Sequence, residues 1–475
     1  MGELCRVAVL ICGACAAVTV FGAGNVSGNP SMSVAAARPP HDRAVVCYVA
    51  AWAGYRPGRG AFALDDLDPA LCTHLVYAFA GLNITSNSIR SLDPYHDLEE
   101  NYGKGSYKKM TNLRSRFPHL KVTIAIGGWN EGSANYSILA AEPGRRQVFI
   151  ASTVKFIQEH GFDGLDLDWE FPGKRGGSPS DKQNFVQLVK ELRQEFDRHG
   201  WLLTAALGAA EDTIDGGYDV PQLSQHLDFL HAMCYDYHGT WDKRTGANAP
   251  LRPLFPGDKL NVEYSIKYFL KLGVPPRKLI MGMPLYGRTF LVEGQSQGSG
   301  LGETALETSF QGPYTRENGF MGYNEICEEL GNNHTEWQIH WDDKSETPYA
   351  VSGNKVIAYD DERSLTEKVK FAMRNDIGGV MAWSIDTDDF HGDCKRYQAD
   401  DNAIKISYPL MRSVNKAITE TLAEMENEVV TRKEKEREKE REKAHNAEQP
   451  GSGVVATTTA VPCLLAACLC LSRMH

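Results

Sequence analysis

The 475-residue chain has little that would attract a polyanion: 50 Lys and Arg stand against 61 Asp and Glu, a formal charge of −11. With no long basic stripe and no zinc-finger spacing, that balance argues against nucleic acid or an anionic bilayer as a general partner. Long apolar runs are missing except near the two ends, which excludes a multi-span membrane protein. Cysteine is sparse and uneven. Cys5, Cys12 and Cys15 lie in the first apolar stretch, and Cys463, Cys468 and Cys470 in the last. Five remain, Cys47, Cys72, Cys234, Cys327 and Cys394. They suffice for two disulfides and one thiol in an oxidising compartment, and leave no cluster for an extra six-cysteine binding module. No GxGxxG, P-loop or HExxH occurs, so no cofactor is expected. Gly294 to Gly298 spells G-x-S-x-G, but a Gly-rich loop follows where a nucleophile elbow needs a helix.

The two ends carry processing signals. Arg6, the apolar run 7–21 and small residues near Gly24 or Ala37 read as a secretory signal peptide over 1–24, with a retained anchor as the alternative. Residues 425–453 hold the alternating TRKEKEREKEREKAH, a solvated helical spacer. Residues 454–475 end in an apolar tail. Small residues, spacer and hydrophobic terminus match a glycosylphosphatidylinositol-attachment signal; a plain tail and a spanning helix are the alternatives. Sequons at Asn25, Asn83, Asn135 and Asn333 agree with secretion. The protein is expected outside the cell, free or lipid-anchored at its surface, as a monomer.

At about 150 residues per domain the length suggests about three domains. The rhythm between the ends suggests one. Short apolar runs alternate with amphipathic stretches: 44–52, 74–82, 121–129, 162–170, 202–210, 229–238, 278–288 and 378–386. Most are continuously apolar at their starts, as parallel strands covered on both faces should be. Stretches such as RRQVFIASTVKFIQEH lie between them with helical periodicity. Eight such units predict an α/β fold, a closed (β/α)8 TIM barrel over 40–424, with an open doubly wound sheet as the alternative. The seventh and eighth runs are far apart. The gap predicts an α+β insertion at 290–357, containing YNEICEELG, WQIHWD and KVIAYD.

Polar residues gather where the runs end: Trp52, Trp129, Asp166 to Glu170, Asp236, Arg288 and Asp386. In a barrel these ends form the active face. FDGLDLDWEFPG, 162–173, is the most informative segment. Side chains alternate along a strand, so Asp166, Asp168 and Glu170 point into the mouth while Leu165, Leu167 and Trp169 point to the helices. Asp163 falls on the other parity and reads as structural. Three carboxylates in file raise the pKa of at least one, which suits a general acid. A metal site is the alternative reading, but no calcium-loop pattern accompanies the row. His231 and His238 read as packing or loop residues.

DGLDLDWE resembles the D-x-x-D-x-D-x-E signature of family 18 glycoside hydrolases, the chitinases and chitinase-like proteins. CYVAAWAGYRPG, LVYAFAGL, VTIAIGGWN, MCYDYHG, GMPLYGRTF, GYNEIC and MAWSIDTDDF look like further family segments, in order. The resemblance spans about 44–400 and is nearest to single-domain arthropod chitinases, particularly the insect group VII type. It implies a retaining, substrate-assisted cleavage of chitin or chito-oligosaccharides. Glu170 would be the acid and base. Asp168 would orient the substrate acetamido group, Asp166 would support Asp168, and Tyr235 would donate to the acetamido oxygen. Trp383 would floor the cleft, and Trp52, Trp129 and Trp241 would stack along it. Tyr48, Phe79, Met233, Asp236, Tyr286 and Arg288 match further cleft positions, Arg288 with an ion-pair role as its alternative. The family implies disulfides Cys47–Cys72 and Cys327–Cys394, and leaves Cys234 a buried thiol. Phe171 stands where many members have Tyr. A sugar-binding lectin of the same fold and an endo-β-N-acetylglucosaminidase are the competing readings, and the intact Glu170 and the aromatic-lined pattern speak against them.

Overall fold

The computed structural model describes residues 38–448 apart from 297–299, 332–335 and 395–405, with backbone alone for 446–448. The expected signal peptide, the apolar tail and Asn333 lie outside the described residues.

Strands β1 (Ala44–Ala50) and β2 (His74–Asn83) open the barrel, and β3 (Ser88–Ser91) folds back antiparallel on β2. Strands β4 (Lys121–Gly127), β5 (Gly164–Asp168), β6 (Leu202–Gly208), β7 (Phe229–Met233) and β8 (Leu279–Pro284) follow, each parallel to its neighbour. Strands β9 (Tyr286–Leu291), β10 (Met321–Gly322), β11 (Gln338–Asp342), β12 (Thr347–Ser352) and β13 (Lys355–Ala358) make a separate antiparallel sheet. Strand β14 (Gly379–Trp383) returns to pair with both β8 and β1. Val46 is bonded in register to Met381 on one side and His74 on the other, so the sheet closes into an eight-stranded parallel barrel.

Alternation sorts the side chains. Val46, Tyr48, Val76, Ala78, Ala125, Ile280 and Met381 fill the interior. Val45, Cys47, Val49, Leu165, Leu167 and Trp169 join the larger core under the helices. Helix Pro143–His160 begins with proline in its first turn and stops at Gly161, whose φ of 74° only glycine adopts at no cost. Helix Asp181–Phe196 buries Phe185, Leu188, Val189, Leu192 and Phe196, one face of a 3.6-residue repeat. Asp163 accepts from the Val122 amide and Arg114, a structural tie at the foot of β5.

The insertion starts earlier than its composition suggested. The run KLIMGMPLYGR reads as one strand, but it turns at Leu285, whose amide bonds Trp383, and continues from Tyr286 as β9 of the second sheet. Disulfide Cys327–Cys394 ties helix Tyr323–Leu330 to the segment after β14, and Cys47–Cys72 joins β1 to the start of β2. Cys234 is a buried thiol, pushed up to about 12 by burial. The charged spacer is the outer half of a longer helix, Pro409–Glu448. Leu410, Met411, Val414 and Ile418 of its first turns are fully buried, and from 426 onward its described side chains are exposed.

Candidate active site

The carboxylate row starts on β5 at the barrel axis. Asp166 is fully buried and fully bonded: Tyr48 donates at 2.6 Å, Thr204 at 2.5 Å, and His231 Nδ1 lies 3.2 Å away. Burial pushes its pKa up, but His231 and the two hydroxyls outweigh burial and hold it below the usual carboxylate range. Asp168 is the opposite case. Burial and the charges of Glu170 and Asp166 drive its pKa well up, and its Oδ1 is buried without a hydrogen-bond partner. Glu170, partly buried just past the strand end, is pushed up to about 7, mainly by desolvation; Arg175 works against this and Asp236 adds to it. The row therefore holds an ionised base at the bottom and two protonatable groups above it.

Space for this row comes from glycine. A Cβ on Gly127 would meet the Asp168 carbonyl at 2.0 Å, and one on Gly128 would meet the Phe79 ring at 2.7 Å. Both have positive φ, 119° and 85°. Gly282 on β8 leaves room for Tyr235, whose Cε1 would lie 3.0 Å from an added Cβ. Tyr235 follows β7, with its ring 6.1 Å from Tyr286.

Aromatic rings surround the mouth. Trp383 meets Tyr48 edge-on at 5.5 Å and stacks with Phe79 at 5.8 Å, and Phe79 stacks with Trp52 at 6.1 Å. Across the opening Trp129 is 59% exposed, with the Arg175 guanidinium 3.6 Å from its ring centroid. Trp241 is 55% exposed, with Arg288 at 5.1 Å. Asp236 accepts from Tyr286 at 2.6 Å and forms an ion pair with Arg288 at 2.6 Å, so Arg288 both pairs and borders the cleft. Met233 is partly buried against the interior cluster. Ring and polar contacts thus link Trp52, Phe79, Trp383, Tyr48 and Asp166 in one group, and Tyr235, Tyr286, Asp236, Arg288 and Trp241 in another.

Three contributors escaped the sequence reading. His231, taken for a packing residue, contacts both Asp166 and Tyr48. Its inward parity on β7 was the available signal. Thr204 carries the same signal on β6. Arg175 sits in the loop after the row with φ 50°, and no periodicity announces it.

The match to a family model decides the kinship: glycosyl hydrolases family 18, over residues 44–388. The chain belongs to that family. Among curated relatives of this family 18 chain is the probable chitinase 2 of Drosophila melanogaster. It is 53% identical over 404 residues, covering 81% of this chain and 82% of the relative. The endochitinase of Manduca sexta is 40% identical over 74% of this chain and 64% of its own length. Among solved structures, the Ostrinia furnacalis Group IV chitinase in complex with allosamidin superposes with a TM-score of 0.75 at 42% identity, covering 80% of the family 18 chain and all of the other. Human YKL-39, described as a pseudo-chitinase with retained chitooligosaccharide binding, superposes at 0.71 with 32% identity, over 79% of this chain and all of its own. Family 18 architecture therefore accommodates both cutting and holding, and the site residues must distinguish them.

Proposed function

We propose that the protein is a secreted chitinase that hydrolyses β-1,4 bonds between N-acetylglucosamine units with retention of configuration. The observation that carries this reading is the pairing of a protonatable Glu170 with an unpartnered, buried Asp168 Oδ1, two residues apart in one cleft. Glu170 at about 7 holds a proton near neutral pH and delivers it to the glycosidic oxygen. The acetamido oxygen of the substrate attacks the anomeric carbon. Asp168 accepts the acetamido N–H, which supplies the bond its Oδ1 lacks, and faces the positive charge of the oxazolinium ion. Asp166, held ionised by His231, Thr204 and Tyr48, fixes Asp168 from below. Tyr235 donates to the acetamido oxygen. Glu170, now a base, takes a proton from the water that opens the ring.

Secretion draws support from two disulfides among the described residues and from the two described sequons. Asn83 turns its Oδ1 to the amides of Thr85 and Ser86 at the β2–β3 turn, and Asn135 is exposed. A lectin role is the second reading, prompted by YKL-39; the acid and its raised pKa favour catalysis. The test is chito-oligosaccharide hydrolysis by wild type and Glu170→Gln. Wild-type turnover with at least about a hundredfold loss in the variant is expected. A wild type that binds these sugars but cleaves none between pH 4 and 9 makes the protein a lectin.

A further inference from the structure

The foot of the barrel holds a cavity that the cleft does not use. It encloses about 370 Å³, and its walls come from the segment before β1, the first residues of β2 and β7, and the turns that lead into β8 and β14. These are the starts of the strands, whereas the carboxylate row lies at their ends. A strand the length of β1 separates the two by about 20 Å.

One wall of the cavity is cationic. Arg38, Arg43 and Arg277 line it, with the carboxylate of Asp42 at the rim. Arg43 is only 4% exposed. One Nη donates to the Ile377 carbonyl at 3.0 Å and the other to Asp376 at 2.8 Å. Its Nε is buried with no hydrogen-bond partner among the described residues. Asp42 does not supply that bond, because its Oδ1 lies 3.8 Å from Nε. Arg277 shares Asp376 at 3.1 Å and also stands 3.8 Å from Asp42. Three guanidiniums thus meet two carboxylates, and one positive charge is left over. Buried donors are nearly always bonded, so the open Nε edge points to a missing acceptor. The flat, forked donors of a guanidinium match a carboxylate.

The other wall is made of rings. His74 and Phe229 both line the cavity and meet edge to face at 5.3 Å. Burial, helped by His231 and Lys121, holds His74 down to about 4, so its ring is uncharged near neutral pH. A bare oxyanion would leave this wall uncovered, and a neutral sugar would leave the surplus charge unmatched. We infer that the cavity is a second binding site, for a small organic carboxylate with a flat apolar body, its head on Arg43 and Arg277 and its body against His74 and Phe229.

Benzoate is the probe, titrated into wild type and followed by ligand-observed NMR, with benzyl alcohol as its neutral counterpart and inorganic sulfate as a bare anion. One saturable benzoate site with a Kd of about 5 mM or below is expected, and at least about fivefold weaker binding of the other two. Arg277→Gln should weaken benzoate about fivefold, and Asp42→Asn, which removes the competing carboxylate at the rim, should tighten it about twofold or more. Chitotriose should leave the benzoate titration unchanged, because the cleft lies at the other end of the barrel. The inference is overturned by the absence of saturable binding, by benzyl alcohol or sulfate binding as tightly as benzoate, by either variant leaving the Kd unchanged, or by displacement with chitotriose.

Discussion

Asp166 and Asp168 are the same residue type two positions apart, and their surroundings drive them in opposite directions. Three polar partners hold Asp166 below the usual carboxylate range; burial and two carboxylate neighbours drive Asp168 well above it. The spacing D-x-D-x-E makes the row legible in sequence, because strand parity alone aims all three side chains inward. The split in charge is not legible, because Thr204 and His231 come from other strands and only barrel closure brings them to Asp166. Arg175 sharpens the point. Its positive charge lowers the pKa of Glu170 against the pull of burial. The proposed acid role requires Glu170 to be protonated, so kcat/KM should fall as pH rises through about 7. Arg175→Gln removes the opposing charge and should move that alkaline limb upward by about half a unit or more, read from pH–rate profiles on chito-oligosaccharide. A limb that stays put, or moves down, contradicts the assignment.

At the scale of elements, the most legible were the strands buried on both faces. Runs such as AVVCYVA could be little else, and each expected run contains a barrel strand. The least legible was the junction after β8, where one apolar run serves two sheets and only the Leu285 bond to Trp383 marks the change. The outer half of helix Pro409–Glu448 poses a different question. Strict alternation of Lys or Arg with Glu places opposite charges three apart, as in Lys433 and Glu436, but like charges four apart, as in Lys435 and Lys439. The two contributions are each about 0.2–0.5 kcal/mol and largely offset one another. This segment therefore takes its order from the docked first turns, which supply the nucleus. A peptide covering 426–448 should be less than about half helical by circular dichroism in cold buffer. A strongly helical, salt-sensitive peptide would show that the charge pairs suffice.

For the whole molecule, closure is the organising event. Deleting everything after Tyr408 removes Leu410, Met411, Val414 and Ile418 from the core, each 0% exposed. Burial of such side chains is worth about 1.5–3 kcal/mol apiece, enough to consume much of a domain's stability. That truncation should lower Tm by at least about 10 °C or leave the protein insoluble. Ending the chain after Val429 should leave both Tm and activity on chitobiosides near wild type, measured by calorimetry and fluorogenic assay.

The carboxylate of Asp386 accepts the Ala50 amide at 2.9 Å and pairs with Arg56 at 2.7 Å, joining the end of the first strand to the loop after the last. A ribosome releases these two places far apart in time. Until residue 386 has emerged, Trp52 has no Trp383 behind it, and the carboxylate row faces an open half-cylinder. The carboxylate row is therefore synthesised well before Trp383, and the two ends of the barrel meet only when nearly all of it has been made.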